Sequence, residues 1–192
     1  MRQTASEEEI LRKGLAVGAV LASVLLAGCS GGGDVTPSAG TSTPTEPTTS
    51  QSARTAPAKS LDVADRCSIV TSDQARQLGA DQSPRERESN GKPGCNYDLG
   101  RSGGGFMVFV AADKSQTMQK FADARKSSVQ MIDISGYPTA QVAVDEASCI
   151  LALDVSDEGS LYVNGLVPSG SPNPCDLSRQ FAEAALTNLP DA

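Results

Sequence analysis

A chain of 192 residues carrying no histidine and no tryptophan, with aromatics at 4%, has room for one ordinary domain plus extensions. The missing histidine excludes Ser-His-Asp and Cys-His catalysis and every histidine-ligated metal site. A formal net charge of -7 argues against nucleic acid, whose phosphates need clustered Lys and Arg. Five basic and five acidic groups balance within residues 1–60, so the whole excess falls in residues 61–192.

Arg12-Lys13 precede fifteen uncharged residues, Gly14 to Gly28. As a helix this run is roughly 22 Å long, short for a hydrocarbon core of about 30 Å. Basic residues, an apolar run and then small residues make residues 1–28 a secretory signal peptide, although Glu7-Glu8-Glu9 is unusual in its leading part. Leu26-Ala27-Gly28-Cys29 has the form of a bacterial lipobox, in which a diacylglycerol joins the cysteine sulfur and cleavage frees its amine. The expected partner is thus the membrane, held through diacylglyceryl-Cys29, with about 0.8 kcal/mol for each buried methylene. This assignment also accounts for an odd count of five cysteines. Residues 29–60, rich in Ser, Thr, Pro and Gly, cannot bury enough apolar surface to offset the entropy of ordering. They read as a tether with a root-mean-square span of roughly 30 Å, and residues 41–50 suit O-linked sugars.

Residues 61–192 form the expected globular domain. Its four cysteines, Cys67, Cys95, Cys149 and Cys175, read as disulfides in an exported chain, with three possible connectivities. The sequential pairing Cys67–Cys95 and Cys149–Cys175 is favoured, and each bond closes a loop worth roughly 3–4 kcal/mol. No C-x-x-C spacing supports a redox or zinc site.

Thr71-Ser72-Asp73-Gln74 has the capping-box form, and the helix it opens ends before Gly79. Residues 81–94 read as a charged, turn-rich connection ending in Gly91-Lys92-Pro93-Gly94. A short strand follows at residues 95–99, then a glycine-rich turn at residues 100–105. Phe106 to Val110 is apolar on both faces, as a central strand is. Met118, Phe121, Ala122 and Arg125 share one face of a helix predicted at about residues 114–127. Strands are predicted at residues 129–134 and 141–144, around a turn at Ser135-Gly136-Tyr137-Pro138. Cys149, Leu151, Leu153 and Val155 alternate onto one strand face, and a turn at residues 156–159 leads to Leu161-Tyr162-Val163. Asn173-Pro174-Cys175-Asp176 supplies an N-cap, a first-turn proline and an acid for a last helix, whose apolar face is Leu177, Phe181, Ala184, Ala185 and Leu189. The order α-β-β-α-β-β-β-β-α predicts an α+β fold, a largely antiparallel β-sheet flanked by helices.

These residues together resemble the actinobacterial lipoprotein family called domain of unknown function 3558. The likeness rests on the lipobox, the tether, Arg66-Cys67-Ser68-Ile69-Val70-Thr71 leading to Leu78-Gly79, Cys95-Asn96-Tyr97, Ala147-Ser148-Cys149, Pro174-Cys175 and Leu189-Pro190. It spans about residues 61–190. Asp65-Arg66-Cys67 departs from the usual Asp-Pro-Cys, and Gly136-Tyr137-Pro138-Thr139-Ala140 replaces the usual Gly-Asp-Ala, so no role of that acid carries over. The resemblance implies an envelope location, with no agreed activity and no catalytic residues.

No catalytic residue and no cofactor are nominated. The glycine-rich stretch 100–105 lacks the following helix of a phosphate loop. Asp154, Asp157 and Glu158 do not have EF-hand spacing. Asp145-Glu146 would point to opposite faces of a strand. Serine or threonine nucleophiles would need a lysine or another base close by, and none is nominated. The expectation is a lipid-anchored, extracytoplasmic, non-enzymatic domain that binds an envelope protein, a glycan or a small apolar ligand, a lipid included. The alternatives are an envelope hydrolase or transferase using carboxylate and Ser/Tyr groups, or a purely structural surface protein.

Overall fold

The computed structural model describes residues 53–100 and 105–192. Seven strands form one antiparallel sheet in the order β1-β2-β3-β7-β6-β5-β4. They are β1 (Arg85–Ser89), β2 (Lys92–Leu99), β3 (Phe106–Asp113), β4 (Gln130–Ile134), β5 (Tyr137–Asp145), β6 (Ser148–Ser156) and β7 (Gly159–Leu166). Three helices accompany them, α1 (Ser72–Gln77), α2 (Met118–Asp123) and α3 (Pro174–Leu186). The sheet is two meanders side by side, β1-β2-β3 and β4-β5-β6-β7, joined where β3 pairs with β7.

The local signals explain most of these elements. Thr71 caps α1 through a complete capping box, and Gly79 ends the turn at φ +94°. Asn173 caps α3 by accepting from the Cys175 and Asp176 amides, with Pro174 in the first turn. Two-residue turns close two hairpins, Asn90-Gly91 (φ 52° and 72°) and Ser135-Gly136 (φ 55° and 86°). Positive φ at both positions matches the twist of the flanking strands.

Three boundaries differ from the sequence reading. Residues 81–94 hold a strand and a hairpin turn rather than a plain connection, and β2 runs through Lys92, Pro93 and Gly94. β5 begins at Tyr137, so its turn is shorter than expected and Pro138 lies inside a strand. α2 has six residues, and Arg125 sits beyond it with its guanidinium carbon 4.0 Å from the Phe121 ring centroid.

Residues 53–60, read as part of the tether, lie against the domain instead. The Thr55 and Ala56 amides donate to the Gly136 carbonyl, and Lys59 N donates to Val155 O at 2.8 Å. Arg54 bonds Asp154 and Asp157 at 3.0 and 2.7 Å. Composition hides this strap because its partners are far away in sequence.

The two sheet faces differ. On the first, Cys95, Tyr97, Val108, Val110, Cys149, Leu151, Leu153, Val155, Leu161 and Val163 are all buried beneath α1, α3 and their connections. Phe181 of α3 lies between Tyr97 and Phe106, with centroids 5.5 and 6.2 Å away. Gly165 lets α3 approach β7, since a Cβ there would collide with Ser178 Oγ. Both predicted disulfides are present, with Cα atoms 5.0 Å apart in each. Cys67–Cys95 ties the segment before α1 to β2, and Cys149–Cys175 ties β6 to the start of α3.

On the second face, Met118, Phe121 and Ala122 of α2 pack on Phe109, Ala111, Ala140, Val142, Ala152 and Tyr162. The chain must cross this face to travel from β3, in the middle of the sheet, to β4 at its edge. α2 is the crossing, and six residues span about 9 Å. It is too short to roof the whole face.

Candidate functional site

Cross-strand register builds the second face, from its covered middle to its open end. One row runs Arg85, Asn96, Phe109, Asn164, Ile150 and Val142. The next runs Asp98, Met107, Leu166 and Ser148. Leu166 keeps 39% of its surface exposed, unusual for a leucine in the middle of a seven-stranded sheet.

A groove of about 690 Å³ opens here, at the end of the sheet. Leu99, Phe106, Met107, Leu166 and Pro168 give it an apolar lining, and Arg85 and Asp98 supply charge. The volume lies in the range of small-molecule sites. Asp98 is nearly buried and is fixed from two sides, by Arg85 at 2.7 Å and by the Asn96 amide at 2.9 Å. Asn96 is itself buried, and its Oδ1 has no hydrogen-bond partner among the described residues. Asn164 Oδ1, two strands away in the same row, is also buried and unpartnered. Arg87 rests on the Met107 sulfur at 3.3 Å and has no ion-pair partner among the described carboxylates.

Of the residues singled out by sequence, few meet at this groove. Gly100 and Gly105, the ends of the glycine-rich stretch, line it; Arg101, Ser102, Gly103 and Gly104 lie outside the described residues. Cys29 and residues 1–52 also lie outside them. Asp154 and Asp157 hold Arg54; partial burial works against that guanidinium's charge, and the two carboxylates outweigh it, so its pKa is raised. Asp145 accepts from the Ala147 amide and shapes the β5–β6 turn. Among the described residues no three His, Cys, Asp or Glu side chains are placed to hold a metal.

One juxtaposition was not legible in the sequence. Lys92 Nζ lies 3.3 Å from Ser115 Oγ, a lysine beside a serine. The ammonium donates to Asp113, and the Ser115 hydroxyl and amide both donate to that same carboxylate. The serine proton therefore faces Asp113, with lysine acting as donor to the hydroxyl. This is a turn cap with a paired cation, stacked 5.3 Å from the Tyr162 ring centroid, and it lacks the geometry of a nucleophile with its base.

A family model described as a protein of unknown function (DUF3558) matches residues 24–188. No curated protein and no solved structure matches the chain. The two disulfides suit an extracytoplasmic protein. Among the described residues, no helix is long and apolar enough to cross a membrane.

Proposed function

We propose that this chain, which belongs to the DUF3558 family, is a lipoprotein of the cell envelope whose domain is a tethered, non-enzymatic binding module. Support comes first from the cysteines. Four of the five bond to one another, so no cysteine of the chain is left to pair with Cys29. Preceded by Leu26-Ala27-Gly28, that residue is the diacylglycerol attachment point. Because residues 53–60 lie against the domain, the tether expected from composition shortens to residues 30–52. Ligand binding is assigned to the groove on the half-covered face.

Cys29→Ala tests the anchor. Growth with an alkyne fatty acid should label the native chain and leave the variant unlabelled and unprocessed or shed. Continued labelling overturns the lipid anchor. The binding role is tested separately. Deleting residues 61–192 should alter the envelope molecules recovered with the anchored chain, and an unchanged set removes that role.

A further inference from the structure

The groove's chemistry is more specific than an apolar patch. Its lining divides into two parts. Leu99, Met107 and Leu166 offer hydrocarbon, and Leu166 is 39% exposed. Beside them stand two guanidinium groups. Arg85 faces the groove and Arg87 lies over Met107.

The two arginines are not equivalent to surface cations elsewhere in the domain. Arg85 gives one N–H to Asp98 through Nη2, and its side chain is otherwise 64% exposed. Most of its five donors thus point to solvent. Asp98 is held in turn by the buried Asn96, so the position of the guanidinium is set from beneath. Arg87 donates to the Met107 thioether and has no carboxylate partner among the described residues. In a chain of net charge -7, two neighbouring cations with spare donors at the edge of an apolar groove are complementary to an anion.

We propose that the groove takes a single acyl chain ending in an anionic group, the hydrocarbon along Met107 and Leu166 and the anion at Arg85 and Arg87. This rests on the reading of the domain as a binding module and names the class of its ligand. A neutral polar ligand would leave the leucine and methionine surface unused, and a wholly apolar one would leave Arg87 and the remaining donors of Arg85 without an anion. A carboxylate and a phosphate share the required chemistry.

The test uses the full chain carrying Cys29→Ala, so that no attached lipid competes, with titrations of octanoate, decanoate, laurate, dodecyl phosphate and dodecanol. Affinity should rise about two- to fourfold per methylene. Laurate should bind about tenfold or more tightly than dodecanol. Comparing laurate with dodecyl phosphate tells a free fatty acid from a phospholipid-type head. Arg85→Gln with Arg87→Gln should bring laurate down to the level of dodecanol. Leu166→Gln should weaken every ligand and flatten the length series. All variants share the same apolar leader, so a difference between them belongs to the groove. If Leu166→Gln fails to fold, Arg87→Gln, a surface change on an edge strand, still decides the matter. Absence of laurate binding, binding independent of length, or binding untouched by these substitutions overturns the proposal. Should it fall while the deletion of residues 61–192 still alters what the anchored chain recovers, the binding module stands with a ligand of another class.

Discussion

The two faces of the sheet solve the same problem with different completeness. On the first, α1, α3 and both disulfides close over a core containing Tyr97, Phe181, Leu151, Leu153 and Leu161. On the second, a six-residue helix covers Phe109, Ala111 and Tyr162 and leaves Met107 and Leu166 without a roof. Stability belongs to the sealed side and, in the proposed function, recognition to the open side, so substitutions on the two should separate the two properties.

The largest separation is expected at Phe181. Phe181→Ala removes a ring wholly enclosed by Tyr97 and Phe106 and should cost about 3–5 kcal/mol in a denaturant titration. Leu166→Gln should stay within about 0.5 kcal/mol of the parent, because the removed surface is partly wet already. Equal costs at the two positions would erase the distinction between the faces.

Next come the staples. Replacing Cys149 and Cys175 by alanine together should cost about 3–4 kcal/mol, from a loop closed over a sequence separation of 26. Hydrogen exchange should quicken in α3 and leave α2 unchanged, since the bond pins only the sealed side.

Alkali should attack the sealed side as well. Burial pushes the Tyr97 phenol up to about 12; its bond from the Val70 amide opposes this weakly, and the Asp65 charge adds to it. The folded-state pKa lies above the unfolded value of about 10. The associated stability is therefore complete below pH 10 and is lost as pH rises through 12. About 2–3 kcal/mol should disappear across that window. Tyr97→Phe should be less stable at neutral pH, having lost the hydroxyl's bonds to Cys67 O and Val70 N, and should lack this part of the alkaline loss.

The smallest contrast lies in the helix caps. Asn173→Ala and Thr117→Ala each remove one N-cap side chain, worth about 1 kcal/mol. For α3 the loss should show in global unfolding. For the short α2 it should show mainly as faster local exchange within that helix.

How legible these features were depended on how local their causes are. The caps at Thr71 and Asn173, the alternation of Cys149, Leu151, Leu153 and Val155, and both disulfides depend on neighbours in sequence or on a small set of pairings. β1 escaped because Arg85-Glu86-Arg87-Glu88 alternates charge signs at an exposed edge, where no hydrophobic period is needed and charge discourages further pairing. Its turn at Asn90-Gly91 carried a signal that the surrounding charge obscured. The strap escaped because Arg54 meets partners a hundred residues away. The groove escaped for the same reason, since Asp98, Met107 and Leu166 adjoin only once β3 pairs with β7. Sequence supplied the expected lipid site at Cys29 and said nothing of the groove.

The strap also determines how the domain answers a pull. Ser60 N donates to Pro190 O and Ala192 N to Ala58 O, so the strap runs alongside the last residues of the chain. Arg54 and Lys59 clip it to Asp154, Asp157 and Asp191. A load applied at residue 53 meets the Arg54 ion pairs first, then the Gly136 carbonyl, then the Lys59–Asp191 pair, and only afterwards the sheet. The domain thus carries a sacrificial seam, one that yields sooner in high salt while core and groove stay intact.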